Sequence, residues 1–178
     1  MQYSRRAQLV FEGMASRWEE GWLLRPLEEG DFPRLLELYQ SNPFYNSVAL
    51  EEPPSLAMCR EDQTALPPGT SAGQKLFLGL FQGERLQAVL DLVDGYPEER
   101  TLYIGLLELH GRAQGKGLGT RIMAALLPAA ARAGFSFARL GCMEQNQPGL
   151  AFWRGQGFAP EGSVEQNGRW IVKMQKEL

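Results

Sequence analysis

The residues with the clearest chemical potential are Gln114-Gly115-Lys116-Gly117-Leu118-Gly119-Thr120, a glycine-rich run between an apolar stretch and a helical pattern. Free backbone N–H groups at a helix start, with the positive end of the helix dipole behind them, make an anion site. Glycines let a phosphate approach the backbone without Cβ interference. Lys116 offers charge at the rim, and Arg112, Thr120 and Arg121 offer charge or hydrogen bonds. Neither standard nucleotide motif fits. A P-loop needs GxxxxGK[ST], but Gly111 and Gly115 stand one residue too close and Lys116 is followed by Gly117. A dinucleotide fingerprint needs a third glycine where Thr120 stands.

Other reactive side chains are sparse. Glu108 lies just before the run, and strand alternation would put it on the same face as Leu106 and Ile104. His110 stands at the strand-to-turn junction with no second histidine in the chain to share a metal. Cys59 and Cys142 are far apart and have no CxxC neighbour, which excludes a disulfide-dense scaffold and a zinc-ligand spacing. Cys142 reads as core.

These residues must be held by an α/β domain. Leu9, Val10, Met14 and Trp18 give residues 1–20 the pattern of an amphipathic helix, an extension ahead of a main domain over 21–178. A strand is predicted over 22–26 and a helix over 31–39. Residues 41–73 hold repeated Pro and Gly and read as a long loop, interrupted by one short helix over 55–64. A hairpin over 75–81 and 86–93, a buried strand over 101–110 and a helix over 117–133 follow. Pro128 predicts a kink or break in that helix, since an interior proline costs about 3 kcal/mol. A strand over 136–143, a helix opened by Pro148 and a final hairpin turning at Asn167-Gly168 complete the chain.

Composition sets limits. The chain has 178 residues, is 44% hydrophobic and 22% charged, and carries a net charge of -3. It can bury a core, and it lacks the basic balance of a nucleic-acid binder. No apolar run approaches the roughly 20 residues of a membrane span, and the N-terminus has no apolar core of a signal peptide. A cytoplasmic setting is the expectation, with no nucleic acid, membrane or metal partner.

The run Leu107–Gly119 resembles motif A of the GNAT superfamily of N-acetyltransferases, [QR]xxGx[GA], with Gln114, Gly117 and Gly119 in the three defining places. Asn146 with Ala151, Phe152, Gly157 and Phe158 resembles the family's second motif, and residues 22–39 resemble its opening strand and helix. The resemblance covers about residues 20–176. It implies a mixed, mostly antiparallel central sheet flanked by helices and splayed at the central strand. It implies acetyl-CoA as co-substrate, and an amine of a small molecule or peptide as acceptor. Leu107 and Leu109 would face the pantetheine arm, residues 114–120 the pyrophosphate, and Asn146, Phe152 and Trp153 the arm's other side. Phe44 and Tyr45, beside Asn42 and Pro43, would touch the acceptor. A homodimer is also implied.

The chain departs from the family twice. Where some members carry a glutamate base early on the central strand, this chain has Tyr103, leaving Glu108, Tyr103, Asp91 and a water chain as candidates. Where many carry a tyrosine acid it has Trp153, whose indole N–H is too weak an acid to supply a proton. Tyr45 and Tyr103 are the alternatives. These departures keep a second reading open, a non-catalytic acyl-CoA-binding module that binds CoA without turnover.

Overall fold

In the computed structural model, residues 2–178 are described. The elements in chain order are α1 (Arg5–Ala15), β1 (Trp22–Pro26), α2 (Phe32–Gln40), α3 (Pro43–Ala49), α4 (Leu56–Thr64), β2 (Lys75–Gln82), β3 (Arg85–Asp94), β4 (Thr101–Leu109), α5 (Leu118–Arg132), β5 (Phe137–Met143), α6 (Gln147–Gly155), β6 (Ala159–Gln166) and β7 (Arg169–Glu177). The strands form one seven-stranded sheet in the order β1-β2-β3-β4-β5-β7-β6, with β4 in the middle. Only β4 and β5 pair in parallel. This is the mixed, mostly antiparallel sheet flanked by helices that the motifs imply.

Two apolar clusters sandwich the sheet. One face packs on α1 and α5, through Val10, Met14, Ile122 and Leu126 against Leu78, Leu90 and Ile104. The other packs on α2 and α4, through Leu35, Leu38 and Cys59 against Phe77, Phe81 and Val89. The N-terminal helix therefore shares the domain's core: Ala7, Val10 and Met14 are buried while Leu9 is exposed.

Two expectations need correction. The segment 41–73 is less irregular than its prolines suggest, because Pro43 opens α3 within its first turn, where the missing N–H costs nothing. Helix α5 runs unbroken through Pro128. Pro128 and Ala124, whose carbonyl loses its helical partner, both lie on the exposed face, where water can satisfy that oxygen.

The feature that shapes the site is a β-bulge. Asp91 pairs with Leu106 and Leu92 with Ile104, so Gly105 is an extra residue in β4. A Cβ there would come within 3.1 Å of the Asp91 carboxylate. A bulge bends its strand. Pairing of β4 with β5 stops at Ile104 and Leu140, although β4 continues to Leu109 and β5 to Met143. The sheet splays open there.

Candidate active site

The bulge also corrects the orientation expected for Glu108. Ile104 belongs to the α1/α5 core, whereas Leu106 packs against the α2/α4 cluster. The extra residue reverses the alternation, so Glu108 shares a face with Leu106 but not with Ile104.

Backbone parity determines what faces the gap. The His110 N–H donates to the Gln87 carbonyl on β3 at 2.9 Å. Alternation then turns the backbone of Glu108 toward β3, and that of Leu107 and Leu109 toward the side β5 has vacated. The Leu109 carbonyl already accepts from Asn42 and Gln114, so an extended ligand could pair with the Leu107 groups and the Leu109 N–H as a missing strand would.

Two cavities meet at the splay. A cleft of about 530 Å³ is lined by Leu107, Glu108, Leu109, Gln114, Gly115, Gly117, Leu118, Gly119, Thr120, Asn146, Phe152, Trp153, Phe44 and Tyr45, with Asn42 at its edge. A second, of about 250 Å³, lies between β4 and β5 and is lined by Tyr103, Gly105, Gly141, Cys142 and Ile171, among others. Tyr45, Leu107, Asn146 and Trp153 line both and so stand between them. Lys116 is the one residue of the glycine run outside the cleft. It lines a separate depression with Arg85, Arg112 and Arg121.

The glycine turn is built for close approach. Gly115 and Gly117 have φ of +68° and +80°, and a Cβ on either would meet nothing within 4 Å. Gly117 is the N-cap of α5 and contributes no side-chain cap, so the first N–H groups of the helix have no side-chain partner. Gly119 serves packing instead: a Cβ there would lie 3.0 Å from the Phe152 ring on α6. Asn146 caps α6 by accepting from the Gly149 N–H at 3.1 Å. Thr120 accepts from Gln156 at 3.2 Å.

On the α2/α4 side the polar groups are side chains. Glu108 is 6% exposed and accepts a hydrogen bond from Asn42 Nδ2 at 2.7 Å. Burial pushes its carboxyl up to about 8, opposed by the Asn42 bond and assisted by the Asp62 charge. Tyr39 donates to Asp62 at 2.8 Å, and burial holds Asp62 above the usual carboxylate range. Burial raises Asp91 also, against its 2.8 Å ion pair with Lys75. Burial, with Glu108 and Asp62 nearby, pushes Tyr45 far above the usual phenol range. Tyr103 is raised by burial and packs edge-on against Tyr96 at 5.2 Å.

Several other residues have structural partners. Trp153 packs edge-on against Phe152 at 5.0 Å and Phe158 at 5.3 Å. His110 Nδ1 accepts from the Arg112 backbone N–H at 3.2 Å, capping the short turn Gly111–Ala113. Burial pushes the Cys142 thiol up to about 11. Arg169, at the start of β7, donates to the Ala49 and Leu50 carbonyls at 2.8 and 2.9 Å, fastening the last hairpin to the end of α3. Among the described residues no group of three or more His, Cys, Asp or Glu could hold a metal ion, and no helix is long and apolar enough to cross a membrane.

Sequence reading alone missed three things: the bulge, Asn42 as partner of Glu108, and Asp62 beside Tyr39. A lone glycine inside an otherwise apolar strand was the available signal for the first. The other two join residues remote in sequence.

Comparison with known proteins gives a consistent answer. Residues 23–158 match the family described as the acetyltransferase (GNAT) family. No curated protein matches the chain. Among solved structures, an acetyltransferase from Thermus thermophilus is similar at 24% identity and a TM-score of 0.68, covering 88% of this chain and 97% of that one. The Salmonella typhimurium acetyltransferase that modifies the N-terminal serine of ribosomal protein L7/L12 is similar at 21% identity and a TM-score of 0.70, covering 90% and 96%. The yncA protein of Salmonella typhimurium, with its cofactor acetyl-CoA, is similar at 16% identity and a TM-score of 0.60, covering 89% and 94%.

Proposed function

Since the chain belongs to the GNAT acetyltransferase family, we propose that it transfers an acetyl group from acetyl-CoA to an amine of a small molecule or peptide, with Glu108 as the base. The observation that carries this reading is the position of Glu108. It is a buried, ionisable carboxylate on the strand whose Leu107 and Leu109 backbone groups face the splay, and it lines the same cleft as the glycine turn.

The residues fit the donor. Backbone groups of Leu107 and the Leu109 N–H meet the pantetheine arm as a strand partner would, the Leu109 carbonyl being held by Asn42 and Gln114. The N–H groups at the start of α5, with Gly115 and Gly117, receive the pyrophosphate. Asn146, Phe152 and Trp153 wall the arm, and the N–H of Leu109 stabilises the oxyanion at the thioester carbonyl. The acceptor approaches the thioester beside Tyr45, which lines both cavities, with Phe44 lining one and Tyr103 the other.

An alkyl amine near its reference pKa of about 10.4 is mostly protonated at neutral pH. Glu108, ionising at about 8, takes a proton from the acceptor nitrogen. The nitrogen–carbon bond forms, the carbon–sulfur bond breaks, and the thiolate leaves with the electron pair. Tyr45, whose hydroxyl burial keeps protonated, donates a hydrogen bond to that thiolate as it departs, and the thiolate takes its proton from water. The relative that modifies a ribosomal protein's N-terminal serine favours a peptide amine as the first acceptor to try.

The test is release of CoA thiol from acetyl-CoA with serine- and alanine-starting peptides, free lysine and a polyamine. The expected result is turnover on at least one, with a mass gain of one acetyl group. CoA binding with no turnover on peptide or small-molecule amines would contradict the proposal.

A further inference from the structure

Asn42 stands at the N-cap position of α3, yet its side chain makes no capping bond. An asparagine there ordinarily accepts from the second or third helical N–H. This one turns inward and is 5% exposed. Its Nδ2 lies 2.7 Å from Glu108 Oε1, 2.9 Å from the Leu109 carbonyl and 3.3 Å from the Leu38 carbonyl. Its Oδ1 accepts from Gln114 Nε2 at 2.5 Å. The amide orientation is fixed from both ends: reversed, it would set its oxygen against a carboxylate and a carbonyl. One side chain thus joins the glycine turn to the candidate base, across 72 and 66 residues of sequence.

We propose that Asn42 is a positioning residue for acetyl transfer, fixing the Glu108 carboxylate at the splay while Gln114 of the glycine turn fixes Asn42. This inference rests on Glu108 being the base. A donor held on a carboxylate favours its ionised form. The other groups facing Glu108 on this side of the sheet are Tyr39 from α2, Tyr45 from α3 and Asp62 from α4, with the Lys75–Asp91 pair beyond them on β2 and β3. His110, two residues along, is aimed at Glu37 instead. Asn42 is the side chain that donates to Glu108, so its removal leaves burial and the Asp62 charge unopposed.

The experiment is the pH profile of kcat for the full chain at saturating concentration of its best amine, which removes the free amine's own titration, compared with Asn42→Ala, Asn42→Asp and Glu108→Gln. The wild type should rise with pH through about 8. Glu108→Gln should lack that limb. Asn42→Ala should move it upward by about one pH unit, and the isosteric Asn42→Asp, which replaces the donor by an acceptor, should move it further. Thermal unfolding of each variant separates a folding defect from this effect, and Asn42→Asp serves if the alanine variant does not fold. If Glu108→Gln keeps the limb, the base assignment falls and this inference with it. If Glu108→Gln loses the limb while both Asn42 variants keep it at the wild-type position, this inference alone is overturned.

Discussion

On the glycine-turn side of the splay, the groups that face the cleft are mostly backbone: the N–H groups opening α5, the open positions at Gly115 and Gly117, and the strand edge at Leu107 and Leu109. On the α2/α4 side they are side chains, Glu108, Asn42 and Tyr45, drawn from separate elements and held by burial and hydrogen bonds, with the buried carboxylates Asp62 and Asp91 behind them. The first arrangement suits a ligand that is large, constant and anionic, because backbone amides bind phosphate without needing to ionise. The second suits proton transfer, because only side chains can be tuned by burial into the physiological range. In our account the donor is recognised by the chain's path and the acceptor is activated by its side chains.

Substitutions should separate the two sides. Replacing Glu108 by Gln should lower turnover by about 100-fold or more, the usual scale of a general base, while acetyl-CoA affinity is unchanged. Steady-state rates and equilibrium titration on one preparation check this. Loss of affinity alongside turnover would merge the two sides. Gly117→Glu should do the reverse, weakening acetyl-CoA by at least about 100-fold, since it adds negative charge at a helix start and forces a side chain into left-handed backbone. Calorimetric titration checks it, with unliganded thermal unfolding as the control for folding.

Smaller effects sharpen the division. Tyr45→Phe should lower turnover by about tenfold and leave affinity alone, because a thiolate of reference pKa about 8.5 departs tolerably unaided. A fall as large as that of Glu108→Gln would mean that Tyr45 does more than assist departure. The last effect is on stability. The folded pKa of Glu108, about 8, lies above its ordinary 4.5, so between those values the folded state keeps a proton that the unfolded chain has released. Stability should decline as pH rises through that window. Glu108→Gln should flatten the decline, as read by denaturant unfolding at about pH 5 and about pH 9.

The same division explains what the sequence could reveal. Backbone-built recognition leaves local marks: glycines at fixed spacing, a helix start, an apolar strand before it. The turn at 114–120, β4, α5 and the Asn167-Gly168 hairpin were readable for that reason, and both hairpin residues do adopt positive φ. Side-chain sites leave no such mark. The bond from Asn42 to Glu108 spans 66 residues, and no local pattern encodes it. Gly105 lies between these cases. Its presence was visible, but its effect, turning Glu108 to the face of Leu106 and away from that of Ile104, depends on the partner strand's register.

Thermal unfolding of the purified protein with CoA, acetyl-CoA, ATP and NAD tests most directly whether the splay is a donor site. At about 100 times its dissociation constant a ligand stabilises by about 2.7 kcal/mol, which for a domain of this size is a shift of roughly 5–10 °C. CoA and acetyl-CoA should give this shift while ATP and NAD give little, because neither of these carries an arm to pair along the open edge of β4. Equal protection by ATP would contradict the donor-site reading by making the turn a general phosphate site, and no protection by CoA would contradict it and leave the glycine turn as a structural feature of the fold.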